Sequence, residues 1–196
     1  MTRRTALSAR VLDATFAEVA EHGLAALTVE AVAVRAGSSR ATLYRHFPGG
    51  RDELVARTIE REVEQFFAAV LADAPPPEAG LLDHVAGLVV AAHRLLEEHA
   101  VLQRLLADEA DAIVPSLSTI QPLVASGLTA HLVRALDDAA TRGELVDDVD
   151  TAMAADHASR LLLSYVGSAG RWDLTDPDAA RRLVRDRLLA GVVANR

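Results

Sequence analysis

The sequence predicts an all-α protein: an N-terminal three-helix helix-turn-helix domain, joined by a long helix to a larger C-terminal helical domain. Three observations predict it. The 196 residues are 51% hydrophobic but only 4% aromatic. Ala, Leu and Val dominate, which suits helices packed through small and aliphatic side chains. No sustained alternation of apolar and polar residues argues for a sheet. Residues 27 to 54, LTVEAVAVRAGSSRATLYRHFPGGRDEL, hold two short amphipathic stretches around a glycine turn. That is the layout in which a second helix enters the DNA major groove.

The elements follow in order. Residues 7 to 22 form an amphipathic helix with Leu12, Phe16 and Val19 on one stripe, stopped by Gly23. Arg3 and Arg4 precede it as a short arm. Thr28 is the N-cap of a second helix whose buried face is Val29, Val32, Ala33 and Ala36. Gly37 stops that helix in the left-handed conformation, and Ser38 or Ser39 caps the next. There Leu43 and Phe47 face inward, leaving Arg40, Thr42, Tyr44, Arg45 and His46 outward. Pro48-Gly49-Gly50 ends it.

A long helix then runs from near Arg51 to about Leu71, with Leu54, Val55, Ile59, Val63, Phe66, Phe67 and Val70 apolar. It spans ~30 Å at 1.5 Å per residue. The prolines at 75, 76 and 77 break it. Further helices are predicted over residues 81 to 99, 101 to 111 (ended by Pro115), 120 to 142 (ended at Gly143), 151 to about 170, and 179 to 194. Asp150 or Thr151, and Asp176-Pro177, supply start signals for the last two.

Charge is unevenly divided. The chain carries a net −8. Residues 1 to 51 hold seven Arg and four acids, a net +3; the remainder holds 13 Arg and 24 acids, a net −11. Phosphate affinity therefore belongs to the N-terminal end, where Arg40, Arg45 and Arg51 cluster around the candidate recognition helix. Every basic residue is Arg and there is no Cys, which removes disulfides and thiolate metal sites. Met1 leads into Thr2-Arg3-Arg4 with no apolar stretch of a signal peptide. No apolar run reaches the ~20 residues of a membrane span. A soluble, cytoplasmic protein without membrane contact is expected.

Catalytic and metal constellations are missing from the sequence. No Glu-x-x-His pair exists for a di-iron bundle, no His-x-x-x-His for zinc, and no Gly-x-Ser-x-Gly or phosphate-binding loop. His93 and Glu97 lie one turn apart, the spacing of an ordinary helix-surface pair. His131 sits on the apolar stripe Val124, Leu128, His131, Ala135. It reads either as a core histidine satisfied by a neighbour or as a polar anchor in a ligand cavity, since such cavities are mostly apolar with a few placed polar groups. His99, Gln103 and Tyr165 are similar candidates. No catalysis, cofactor or metal is expected.

The stretch around residues 7 to 56 resembles the DNA-binding domain of the TetR family of bacterial repressors. The resemblance rests on Thr28, the Ala36-Gly37 turn, the run Thr42-Leu43-Tyr44-Arg45-His46-Phe47, and Arg51 with Leu54. Two positions depart from the family. Ser38 stands where it usually has an apolar residue, and Pro48-Gly49-Gly50 is one residue longer than the commonest connection.

The resemblance implies a transcriptional regulator with two parts: residues 1 to 52 binding double-stranded operator DNA, and residues 53 to 196 binding a small effector and dimerising. Thr28, Thr42, Tyr44 and His46 would hold phosphates, as the family's matching positions do. Ser39 starts the helix, and Arg51 adds charge near a helix N-terminus. Arg40 and Arg45 are candidates for base edges, and Ala41 for a thymine methyl. In the family the last two long helices form a four-helix dimer interface. Here they correspond to residues near 151 to 170, with their small residues Gly167 and Gly170, and 179 to 194. Two other readings stand beside this one: a ligand-independent DNA binder, and a helical metabolic enzyme.

Overall fold

The periodicities predict helices nearly throughout. In the computed structural model, which describes residues 3 to 194, they form α1 Arg3–His22, α2 Val29–Arg35, α3 Arg40–His46, α4 Gly50–Asp73, α5 Leu81–Glu98, α6 Ala100–Asp108, α7 Ala110–Thr141, α8 Thr151–Gly167 and α9 Pro177–Leu183. A 3-10 turn, Pro77–Ala79, follows the proline break, and a single π turn, Val184–Leu188, continues α9. The fold is all-α; among the described residues the one extended pairing is an isolated antiparallel bridge between Leu145 and Val193. No helix among them is long and apolar enough to cross a membrane.

The chain forms two compact units: Met1–Gln65 with His99–Ile120, and Phe66–Glu98 with Gln121–Arg196. Helices α4 and α7 contribute residues to both.

In the first unit, Val11, Ala14, Leu24, Leu27, Val32, Leu43, Phe47 and Leu54 bury together, and Leu105 of α6 and Ile113 of α7 complete the same core. Arg35, at the end of α2, fixes that helix to α1. Its Nε donates to Glu18 at 2.6 Å, and its Nη atoms donate to both carboxylate oxygens of Glu21 at 2.8 and 2.5 Å. The α1–α2 turn is gripped by α6 and the residue after it. Arg104 donates to the carbonyls of Val19 and Ala20, capping the exposed end of α1. The Glu109 carboxylate accepts from the amides of Leu24 and Ala25, at 3.1 and 2.7 Å. This approach needs a glycine at 23. Gly23 has φ +88°, and a Cβ there would come within 2.2 Å of Glu109 Oε1.

Three expected boundaries move. Helix α1 begins at Arg3, so the backbone of Arg3 and Arg4 is helical rather than an arm. Pro115 does not end a helix; it lies inside α7, as does Pro122. Proline removes a donor from the ladder, but both prolines are exposed, as are Asp111 and Ser118 whose carbonyls lose their partner. Nearby hydroxyls add bonds, Ser118 Oγ to the Val114 carbonyl and Thr119 Oγ1 to that of Pro115, each at 3.0 Å. The break falls instead at Glu109, whose carbonyl starts α7 by accepting from Ala112 and Ile113. Third, the last helix does not continue to residue 194. The Leu189 amide bonds back five residues to Val184, and Gly191 turns the chain at φ +75°. The following residues run extended, with Val146 N bonding Val192 O and Ala194 N bonding Glu144 O.

The second unit packs α5 against α9 and α8. Its core holds Leu81, Val85, Leu88, Val89 and Ala92 of α5, Leu132, Leu136 and Ala139 of α7, Ala155, Ala158 and Leu162 of α8, and Ala180, Leu183, Val184 and Leu188 near the end. The single tryptophan, Trp172, packs partly buried against this core. Gly87, inside α5, costs ~1 kcal/mol of helix propensity. It is explained by Pro75, whose Cδ would lie 2.2 Å from a Cβ there.

Gly23→Ala is expected to lower stability by more than ~1 kcal/mol, from both the positive φ and the clash, as read by urea unfolding. A loss of a few tenths would mean that Glu109 does not hold this turn.

Candidate nucleic-acid interface

Local sequence builds the turn between α2 and α3. Thr28 Oγ1 caps α2 by accepting from Ala31 N at 3.1 Å. At the other end, Gly37 N bonds the Val34 carbonyl and Ser38 N bonds that of Ala33, with Gly37 at φ +59°. This is a Schellman closure, which needs a left-handed residue after the helix. Of the two candidate caps, Ser39 starts α3: its Oγ accepts from Thr42 N at 3.2 Å and bonds Thr42 Oγ1 at 3.0 Å. Leu43 and Phe47 anchor α3 in the core.

The opposite face of α3 is open. Arg40, Ala41, Tyr44 and Arg45 are exposed, while Thr42 and His46 are half-buried. Arg40 Nη2 lies 2.7 Å from Glu30 Oε1, on the first turn of α2. The Tyr44 ring sits over the start of α4, where Gly50, at φ +62°, leaves it 3.2 Å from the position a Cβ would take. Arg51 is turned inward. Its Nε donates to Leu27 O at 3.1 Å and its Nη2 to Leu24 O at 2.7 Å, with Nη1 3.5 Å from Asp52. Thr28 and Ser39 thus spend hydroxyls on caps, Thr42 Oγ1 bonds the Ser39 hydroxyl, Arg51 braces the turn, and Arg45 carries no ion pair among the described residues.

The candidate ligand residues divide between the units. His99 and Gln103 belong to the first. His99 caps α6, its Nδ1 accepting from Leu102 N at 3.2 Å, and its ring meets Phe16 edge-on. Gln103 is exposed on α6. His131 and Tyr165 belong to the second. Tyr165 packs partly buried on its core.

His131 has a neighbour that the sequence reading missed, His84, with the two Nε2 atoms 2.8 Å apart. His84 is buried, and its Nδ1 lies 2.6 Å from the Pro75 carbonyl. A carbonyl only accepts, so His84 Nδ1 donates. In the neutral pair His84 Nε2 then accepts from His131. Charging both rings would set two N–H groups against each other. Burial, then His84 and Arg134, hold the His131 pKa below the usual histidine value. A cleft of about 140 Å³ also opens in this unit, lined by Gly80, Leu81, Leu82, Asp83, Glu144, Arg181, Val193 and Ala194. Asp83 and Arg181 pair across its rim at 2.5 Å. No group of three or more His, Cys, Asp or Glu suited to a metal ion occurs among the described residues.

An exposed polar helix face over a Schellman-closed turn, on a buried core, is the arrangement of a helix-turn-helix DNA-binding domain. Residues 11–58 match the family model described as bacterial regulatory proteins, tetR family. No curated protein sequence matches the chain. Among solved structures, GusR of Salmonella enterica is 23% identical with a TM-score of 0.64, covering 98% of each chain. SmeT, the repressor of the Stenotrophomonas maltophilia multidrug efflux pump SmeDEF, is 22% identical with a TM-score of 0.60, over 96% of this chain and 91% of that one. A SmeT–triclosan complex is 26% identical with a TM-score of 0.60, over 97% and 93%.

His131→Gln is expected to flatten the pH dependence of stability. A lowered histidine pKa in the folded state gives stability that is present above the unfolded value of ~6.5 and lost as pH falls below it. The wild-type melting temperature should therefore drop more between pH 7.5 and 5.5 than that of the variant. Parallel curves would exclude this linkage.

Proposed function

We propose that the protein is a ligand-responsive repressor that binds a palindromic operator as a homodimer and leaves it when a small hydrophobic effector binds. The observation that carries this reading is the outward face of α3, with Arg40, Tyr44 and Arg45 exposed on a helix whose other side is locked in the core. Residues 1 to 52 would hold DNA. Thr28, Ser39, Thr42, Tyr44 and His46 would contact phosphates, and Arg40 and Arg45 base edges, with Ala41 against a thymine methyl. Arg51 would position the α1–α2 turn rather than reach far into the groove. Residues 53 to 196 would bind effector and partner. No reaction is assigned, and the protein would work in the cytoplasm.

A two-fold dimer would set two α3 helices one turn of DNA apart, ~34 Å. The outward side of α8 carries Met153, 71% exposed, and the exposed Asp156, Arg160, Ser164 and Gly167. Asp156 and Arg160 pair with each other along this face. The outward side of α9 and its π turn is charged: Arg182, Arg185, Asp186 and Arg187. Effector release is the sense supported by SmeT, a repressor also known as a triclosan complex. Such release needs unequal binding to two conformations, ~1.4 kcal/mol for a tenfold effect.

Gel-shift titration against duplexes from the protein's own promoter region tests DNA binding. Tyr44→Phe should weaken operator and unrelated duplexes alike, about fivefold, for a phosphate hydrogen bond worth about 1 kcal/mol. Arg45→Ala should instead relax sequence choice by ~1–3 kcal/mol. A wild-type protein that shifts no duplex at low salt ends the repressor reading. If hydrophobic compounds, triclosan among them, all leave operator affinity unchanged, the ligand-independent DNA binder takes its place.

Gly167→Leu tests the dimer separately. Among the described residues, nothing lies within 4 Å of a Cβ at that position, so the substitution should leave the fold intact and act only through a partner. Sedimentation should show weakened dimerisation; an unchanged tight dimer would remove α8 from the interface.

A further inference from the structure

Arg40 opens the recognition helix, yet its guanidinium is already held. Glu30, on the first turn of α2, takes Nη2 at 2.7 Å, and the two side chains are 60% and 52% exposed. A surface ion pair of this kind adds little to stability. Its effect on DNA recognition is larger, because it joins a candidate base reader to a negative charge on the same surface.

We infer that Glu30 is a positioning residue that sets sequence specificity by bracing Arg40. The inference rests on the DNA-binding role proposed above. A free arginine on an exposed helix takes many rotamers and accepts any phosphate. One braced through Nη2 keeps its remaining N–H donors in a fixed plane, the geometry that a guanine edge with its O6 and N7 acceptors requires. The carboxylate also cancels most of the Arg40 charge as seen by the phosphate backbone, so it weakens the sequence-independent attraction. Both effects favour base reading over phosphate binding. Thr28 and Ser39, the caps on either side, fix the starts of α2 and α3 and so hold the two side chains at this separation.

The test uses the full-length protein, the duplex that wild type selects from a random pool, and a scrambled duplex of the same composition. Glu30→Ala should bind the scrambled duplex more tightly and lower the selected-to-scrambled ratio about tenfold, within the range of one guanine contact. Glu30→Gln keeps an acceptor but removes the charge. It should steepen the salt dependence on scrambled DNA by nearly one unit of log–log slope and lose less of the ratio. In an Arg40→Ala background, Glu30→Ala should leave the ratio unchanged, since there is nothing left to brace. Unfolding midpoints of both Glu30 variants should stay at the wild-type value. If wild type selects a sequence but Glu30→Ala keeps its ratio, or lowers it equally without Arg40, the assignment to Glu30 is overturned while the regulator reading stands. If wild type selects no sequence at all, both are overturned together.

Discussion

The five residues from Gly23 to Leu27 are the point on which the first unit depends. Side chains from distant parts of the chain converge there: Arg51 on the carbonyls of Leu24 and Leu27, Glu109 on the amides of Leu24 and Ala25, and Arg104 on the two carbonyls just before. Each bond has one charged partner, and such bonds are shorter and stronger than neutral ones. Leu24 and Leu27 also anchor this turn in the core. With its backbone groups satisfied from outside, it fixes α1 relative to α2, and α2 carries the Schellman turn from which α3 projects. Gly23, at φ +88°, leaves room for the Glu109 carboxylate in this arrangement.

That convergence explains why the unit is discontinuous in sequence. Helix α6 and the start of α7 lie after residue 98, yet Leu105 and Ile113 share a core with Leu24, Leu43 and Leu54. The covalent path through α4 and this second path through α6 both reach the helix-turn-helix core.

The recognition motif was legible because it is local. Thr28, Gly37, Ser39, Leu43 and Phe47 act within a few residues of themselves, and capping and periodicity rules apply directly. What could not be read depends on groups far apart in sequence. Nothing near Arg51 announces that its guanidinium turns to residues 24 and 27. Glu30 and Arg40 meet only because a tight turn folds one helix onto the next. His84 had a local signal, since it interrupts the apolar stripe Leu81, Val85, Leu88, but only the fold supplies His131 as its partner. The prolines of α7 misled because a proline's cost depends on whether the carbonyl it orphans is buried or wet. The end of α9 misled because one extra residue in a π turn has no compositional mark.

Trp172 is the only indole in the chain and packs on the core of the second unit. Its emission therefore watches one unit, while far-ultraviolet ellipticity sums the helices of both. The two signals can be followed in a single denaturant titration. Coincident curves mean that the two units unfold as one cooperative block, and separated curves mean that each melts alone. The chain thus carries its own optical gauge of how tightly its two halves are thermodynamically linked, with no label to be added.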